Sequence, residues 1–220
     1  MPKELVKDLG NIYILGRGAS LIRCSVAKPE NSEYWGCNNV YRARDVDRLF
    51  VMNDLFATQF NRDKDLIKTV NEKDFPVYTL GKYDVLRNNV AYPMKEVIDE
   101  FGKAYFLNNT CYMVALAIMQ KPKNLTFFGV DLTFGNKSEY FREAKACLEF
   151  WLGVAVGRGI IIHLAQESTL LRRINRTKFY WWKEILDETH SYTLQLEPEY
   201  LWGRNKCAEK YSIQRLDCRV

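Results

Sequence analysis

Ile12-Tyr13-Ile14-Leu15-Gly16-Arg17-Gly18-Ala19-Ser20-Leu21 is the stretch on which the reading of the fold turns. A run of β-favouring apolar residues stops at a glycine, and another glycine follows after one residue. Gly-x-Gly lets the backbone turn sharply and come close to a ligand. Ser20 has the chemistry to cap a following helix, whose free N–H groups hold phosphate or carboxylate. The pattern is strand, glycine turn, helix start. It lacks the third glycine of the dinucleotide fingerprint and an acidic residue about 20 positions on. An ordinary strand–turn–helix carries the same signature, so the rest of the chain has to decide.

Similar units recur further along. Residues 11–15 are read as the first strand. Tyr34-Trp35-Gly36-Cys37 is a second, ending at Asn38-Asn39, and Leu49-Phe50-Val51-Met52 a third, ending at Asn53-Asp54. Val77-Tyr78-Thr79-Leu80 supplies a fourth. Thr110 to Met119 reads as a buried helix, apolar nearly all round. Leu125-Thr126-Phe127-Phe128 is another strand, closed by Gly129-Val130-Asp131, and residues 138–157 an amphipathic helix. Ile160-Ile161-Ile162-His163-Leu164 is the last core strand. Continuous apolar strands alternating with helices predict an α/β, Rossmann-like domain with a mostly parallel sheet covered by helices.

Composition bounds this reading. The chain has 220 residues, 47% of them hydrophobic, enough for a core on both faces of a sheet. No apolar run reaches the ~18 residues of a membrane span, and Met1-Pro2-Lys3-Glu4-Leu5 opens no signal-peptide apolar region. The six cysteines form no C-x-x-C pair and there are two histidines, which argues against a zinc site. Buried reduced thiols fit a cytoplasmic protein. A net charge of +5 suits an anionic ligand without marking a nucleic-acid binder.

The polar residues fall in a telling way. Gly16-Arg17-Gly18, Asn38-Asn39, Asn53-Asp54, Asp131 and His163 all come at the carboxyl ends of predicted strands. Open α/β sheets bind ligands in the crevice beyond those ends. Turn chemistry alone also puts Asn and Asp there. The expected division is a nucleotide-binding domain over residues 1–165 and a helical or irregular extension over 166–220. Its basic and aromatic stretch from Leu170 to Lys183 is either a lid or acceptor surface, or a helix packing its rings on the sheet.

In order along residues 11–175, these elements resemble the Campylobacter-type bacterial sialyltransferase family. That family has wider relatives in the motility-accessory-factor glycosyltransferases and the archaeal hydroxymethylpterin diphosphokinases. Gly16-Arg17-Gly18-Ala19-Ser20-Leu21 is similar to the family's G-N-G-P-S-L loop, Cys37-Asn38-Asn39-Val40-Tyr41 to C-N-Q-F-Y, and Met52-Asn53-Asp54-Leu55-Phe56 to Y-N-P-S-L-F. Asn109 to Ile118 follows S-G-V-Y-M-C-A-V-A-I, Phe128 to Thr133 follows S-G-I-D-F-Y, and Ser138-Glu139-Tyr140 follows S-S-Y. The resemblance implies a cytidine monophosphate sugar as donor. It implies that Gly16, Arg17, Gly18 and Ser20 lie against phosphate and ribose, and that Asn38 and Asn53 bond the nucleotide or sugar. It implies that Asn108 and Asn109 face the donor from a helix N-terminus, with Gly129, Asp131 and Thr133 beside them. Tyr140 stands where a family tyrosine donates to the departing phosphate.

The chain also departs from that pattern. Arg17 replaces an asparagine and can pair with phosphate directly. Thr133 replaces a phosphate-binding tyrosine, and Phe106 stands where an arginine is expected. The segment carrying the family's histidine base is shortened, so a base must come from elsewhere. His163 is the first choice, since a histidine titrates near neutral pH. Its bland alternative is a hydrogen-bonded core residue. Asp54, Asp131 and Glu143 are the carboxylate options.

Three functions remain open on the sequence. The first is a metal-independent glycosyltransferase moving a sugar from a CMP-sugar-like donor to a glycan or modified-nucleobase acceptor, with no further cofactor. The second is a pyrophosphokinase with magnesium on Asp131 and Asp54. The third is a nucleotide-binding protein without catalysis. A homo-oligomer is compatible with each.

Overall fold

A computed structural model describes residues 10–56, 65–133, 139–171 and 213–216. In chain order the elements are β1 (Asn11–Leu15), a 3₁₀ turn (Ala19–Arg23), β2 (Ser32–Cys37), a further 3₁₀ turn (Val40–Arg42), β3 (Arg48–Phe50), α1 (Leu66–Asn71) and β4 (Val77–Thr79). They continue as β5 (Asn89–Ala91), α2 (Met94–Phe101), α3 (Asn109–Met119), β6 (Asn124–Phe128), α4 (Glu139–Gly157), β7 (Ile161–Ala165) and β8 (Ile213–Leu216). The eight strands form one sheet in the order β5-β4-β3-β2-β1-β6-β7-β8. Each neighbouring pair is parallel.

The chain builds outward from β1 in one direction through β5, then returns to β6 on the other side of β1. Strand order therefore reverses between β1 and β6, where an open α/β sheet forms its ligand crevice. Ile14 pairs in register with Trp35 and with Phe127, so these side chains share one face. That face is covered by α3, whose residues Thr110 to Ile118 are buried except Tyr112. The helix is apolar all round because it lies between the sheet and the helices α2 and α4. The outer helix α4 is amphipathic: Ala144, Cys147, Leu148, Trp151, Leu152 and Ala155 make one buried stripe at helical spacing. On the opposite face α1 buries Leu66 and Val70 against Leu49, Val51 and Val77.

Strands and helices predicted from continuous apolar runs are present. The third strand is shorter than expected and ends at Phe50, leaving Val51 and Met52 as extended chain leading to Asn53. Elements β5, α1, α2 and β8 go beyond the sequence expectation. Because β8 pairs with β7, residues beyond 165 add a strand to the same sheet. The basic and aromatic stretch lies, from residue 172 on, outside the described residues, as does Ser138. Cys24, Cys37, Cys111 and Cys147 are buried and free. Among the described residues no helix is long and apolar enough to cross a membrane.

Candidate functional site

The crevice at the sheet's carboxyl edge is a cleft of about 420 Å³, within the usual range for small-molecule sites. Four strand ends supply its floor and sides. The loop after β1 gives Gly16, Arg17 and Gly18; the ends of β2 and β3 give Cys37, Asn38, Met52 and Asn53; the loop after β6 gives Gly129, Asp131 and Thr133. The N-terminus of α3 brings in Asn108, Asn109 and Tyr112, and the start of α4 brings in Tyr140 and Phe141. Of the residues expected there, Ser20, Asp54 and His163 do not line the cleft.

The loops after β1 and β6 are clasped together. Gly16 N–H donates to Phe128 O at 2.8 Å and Gly18 N–H to Gly129 O at 2.7 Å. Gly129 N–H donates back to Ser20 Oγ at 2.7 Å. The buried Asp131 carboxylate then accepts from Ser20 N–H at 2.9 Å on one oxygen and from the Ser20 hydroxyl on the other. The glycines are required by this closeness. A Cβ on Gly16 would lie 2.3 Å from Gly129 O, one on Gly129 would lie 2.2 Å from Gly16 O, and one on Gly18 would lie 2.4 Å from Asp131 Oδ2. Gly129 also sits at φ +66°, a left-handed backbone.

Two expectations change accordingly. Ser20 does not cap a helix: it lies inside the 3₁₀ turn Ala19–Arg23, whose N-terminal Gly18 offers no side chain. Its hydroxyl is buried and joins the two loops instead of meeting a ligand. Asp131 reaches the cleft, and each of its oxygens accepts a hydrogen bond from Ser20. Asp54, its partner in the magnesium reading, stands outside the cleft lining. Among the described residues no group of three or more His, Cys, Asp or Glu is placed to hold a metal ion. Asp131 and Asp54, the pair named for magnesium, are thus not both on the cleft lining.

The opposite side is tied by asparagines. Asn109 Nδ2 donates to Asn38 Oδ1 at 3.0 Å, while Asn109 Oδ1 accepts from Met52 N–H at 2.8 Å. One side chain therefore links β2, β3 and the start of α3. Asn38 itself adopts φ +53°, which asparagine tolerates better than most residues. Asn108 caps α3 by accepting from Cys111 N–H at 3.1 Å and from the Thr110 hydroxyl at 2.6 Å. Phe106, where the resemblance leads one to expect an arginine, packs between Tyr112 and Trp151 with ring centroids at 4.5 and 5.2 Å. It braces the wall and brings no charge.

Arg17 is exposed in the cleft mouth and pairs with no carboxylate among the described residues. Its charge is felt by Cys37, whose thiol is pushed up to about 11 by burial, Arg17 partly offsetting the rise. Tyr140, 48% exposed, presents its phenol to the cleft. Burial and the nearby Cys111 thiol raise its pKa above the ordinary value, so it stays a proton donor at neutral pH.

His163 is elsewhere. It is the middle residue of β7, in register with Thr126, and its Nε2 meets Asn124 Oδ1 at 3.0 Å. Asn124 opens β6, so the ring is held toward the amino end of the sheet, away from the cleft. Burial lowers its pKa, which favours the neutral imidazole beside Asn124. Asp54 is exposed beside Asn53; its Oδ1 accepts from Phe56 N–H at 3.0 Å and from the Tyr83 hydroxyl at 3.2 Å. Glu143 is exposed on α4 and does not line the cleft. Cleft residues to which the sequence assigns no role include Cys37, Met52, Tyr112 and Phe141. Each directly neighbours, or sits one turn from, a polar residue already singled out.

No protein-family profile matches the chain, and no curated protein matches it. Solved structures do. The α-2,3-sialyltransferase of Campylobacter jejuni in apo form is 20% identical with TM-score 0.45, over 74% of this chain and 79% of that one. The monofunctional α-2,3-sialyltransferase Cst-I of C. jejuni is 19% identical with TM-score 0.46, over 74% and 79%. The C. jejuni sialyltransferase CstII in complex with CMP-3FNeuAc is 18% identical with TM-score 0.44, over 70% and 79%. At these identities and scores the likeness assigns nothing to the site.

Proposed function

We propose that this protein transfers a sugar from a nucleotide-activated, CMP-sugar-like donor to a hydroxyl acceptor without a metal. The observation that carries the proposal is the convergence of Arg17, Asn38, Asn53, Asn109, Thr133 and Tyr140 on one cleft of about 420 Å³. These residues come from six separate stretches that the sequence resemblance matches in order.

In this reading Arg17 meets the donor phosphate as a charge-assisted hydrogen-bond donor. The N-termini of α3 and α4 add favourable field for the same anion. Asn53 and the Asn38–Asn109 pair orient the nucleotide or sugar. As the bond between the anomeric carbon and phosphate breaks, charge grows on the leaving phosphate, and the Tyr140 hydroxyl stabilises it. Asp54 at the rim takes the acceptor proton, because the acceptor enters from the solvent side.

A thermal-shift panel of nucleotides and nucleotide sugars, with EDTA or with magnesium, tests the donor class. A ligand at ~100 times its Kd raises stability by about 2.7 kcal/mol. The expected result is a shift with cytidine monophosphate and its sugars that EDTA leaves unchanged. Tyr140→Phe should lower kcat more than it weakens nucleotide binding. Equal losses in both, or a shift that requires magnesium, would sink the proposal.

A further inference from the structure

We infer that Asn109 is a positioning residue that sets the polarity of Asn38, so that the cleft wall of Asn38, Asn108 and Asn109 offers hydrogen-bond donors and selects a ligand group that accepts. An asparagine amide has an oxygen end that accepts and a nitrogen end that donates, and the two ends are alike in shape. Which end faces a ligand depends on what holds the other. Here the anchor is the main chain. The Met52 N–H can only donate, so the Asn109 atom 2.8 Å from it is Oδ1. Asn109 therefore turns Nδ2 toward Asn38, and the Asn38 atom 3.0 Å from that nitrogen is the acceptor Oδ1. The same logic sets Asn108, whose Oδ1 accepts from the Cys111 N–H at 3.1 Å and from the Thr110 hydroxyl at 2.6 Å. Where the chain resembles the sialyltransferase family, the position of Asn109 holds a serine. That side chain has one polar atom in place of two, so the relay from Met52 to Asn38 belongs to this chain.

The nitrogen ends are what remain. Neither Asn38 Nδ2 nor Asn108 Nδ2 has a protein partner among the described residues, and neither is sealed from solvent. Asn109 Nδ2 keeps a second N–H beyond the one given to Asn38. All three residues line the cleft at the start of α3, where the first turn of a helix adds N–H groups of its own. Arg17 at the cleft mouth is likewise a donor without an acceptor. A carbonyl, ether or charged oxygen of the ligand fits such a wall. An amine or ammonium group is disfavoured, since it would set N–H against N–H. Asn38 stands at φ +53° on the end of β2, and its tie to Asn109 holds the amide in this sense.

Which ligand meets the wall rests on the transferase reading, whereas the polarity is measurable without a ligand. Side-chain amide exchange with water, followed by ¹H–¹⁵N NMR on the full chain, reads it directly. The Asn38 signal is identified by its loss in Asn38→Ser. In the wild type one Asn109 proton should exchange slowly and both Asn38 protons fast. Asn109→Asp keeps an oxygen for the Met52 N–H and turns its other oxygen to Asn38, which must then reverse. The Asn38 protons should become protected, with the melting temperature close to wild type. Calorimetric titration with cytidine monophosphate and with CMP-N-acetylneuraminate gives the ligand side. At high salt, which screens the added charge, Asn109→Asp should still bind the tighter of the two about tenfold more weakly. A merely structural Asn109 predicts wild-type affinity there, because the Met52 contact is kept. Protected Asn38 protons in the wild type, an exchange pattern unchanged in Asn109→Asp, or wild-type affinity of that variant at high salt overturns the positioning role. If the variant does not fold, the wild-type exchange pattern decides. If neither ligand binds the wild type, the donor reading fails, and the exchange pattern still decides the polarity.

Discussion

On the wall made by the β1 and β6 loops, Ser20, Gly129 and Asp131 are hydrogen-bonded to one another. Arg17, between the two glycines of that same β1 loop, stands exposed at the cleft mouth, as do Asn53 and Asp54 after β3 on the facing side. The clasped wall has the sequence signs of function, with its glycine turn, serine and aspartate, yet most of that chemistry holds two loops in contact. The exposed side chains of Arg17, Asn53 and Asp54 carry no such signature, Asn and Asp being common in turns, yet they are the charges and amides turned to solvent. A glycine-rich turn after a strand therefore has two physical causes, close approach of a ligand or close approach of another loop. Only the neighbour across the sheet separates them.

The largest effect should come from breaking the clasp. Gly129→Ala combines a left-handed backbone with a Cβ 2.2 Å from Gly16 O. Strain of about 1–2 kcal/mol and overpacking of about 1–3 kcal/mol add, so urea unfolding should show a loss on the order of 3 kcal/mol. A loss below about 0.5 kcal/mol, the level of a neutral surface change, would mean that the loops are not clasped. Next comes the Ser20–Asp131 pair. Asp131→Ala strands a buried N–H and hydroxyl, which costs about 1–3 kcal/mol. Because Ser20→Ala removes the hydroxyl contact as well, the double variant should be less destabilised than the sum. A coupling above about 0.5 kcal/mol is the expected sign of direct contact.

Arg17→Ala probes the open side. Its guanidinium is exposed and pairs with no carboxylate among the described residues, so stability should stay within about 0.5 kcal/mol of wild type. Nucleotide affinity should fall about tenfold, the loss of one charge-assisted hydrogen bond at ~1.4 kcal/mol. Wild-type affinity should weaken with added salt more steeply than that of the variant. Calorimetric titration at two ionic strengths reads both. Unchanged affinity would remove Arg17 from the phosphate site.

Much of the sheet is legible in the sequence because its strands are buried on both faces and read as unbroken apolar runs. Helix α3 is legible for the same reason, lying between sheet and helices. Helix α2 escapes that reading, although Pro93 precedes it and Gly102 ends it at φ +63°. Strand β5 has three residues, none fully buried, and leaves no periodicity to read. Which strand ends meet in one cleft follows from parallel topology, and Gly16, Asn38, Asn53 and Asp131 do meet there. The job of Ser20 is not legible, since its partner Asp131 is 111 positions away and no local rule pairs them. His163 differs for a geometric reason: a histidine late in an apolar run need not lie at the strand's edge. In β7 it is the middle residue, and mid-strand side chains point out of the sheet's face, not off its end.

The smallest expected effect concerns that histidine, which is half-buried in mid-strand and does not line the cleft. His163→Gln keeps a hydrogen-bonding group opposite Asn124 and roughly the same volume. Turnover in the folded variant should stay near wild type, whereas loss of a general base would cost ~10²–10⁴ in rate. The pH dependence of stability gives an independent reading. Burial lowers the folded pKa of His163 below its ordinary 6.5, so the neutral form is favoured in the fold. The unfolded chain then binds the proton more readily, and wild-type stability falls as pH drops from about 6.5 toward the lowered folded value. A glutamine takes up no proton, so between those limits the slope of stability with pH should be shallower in the variant. The partial exposure of the ring keeps this difference small. Denaturant midpoints compared at pH 7 and pH 5 would show it as a narrowing of the gap between wild type and variant at the lower pH. A gap that widened on acidification would mean that the folded protein holds a charged imidazole. The ring would then need an anionic partner, and the neutral contact with Asn124 would be the wrong account of it.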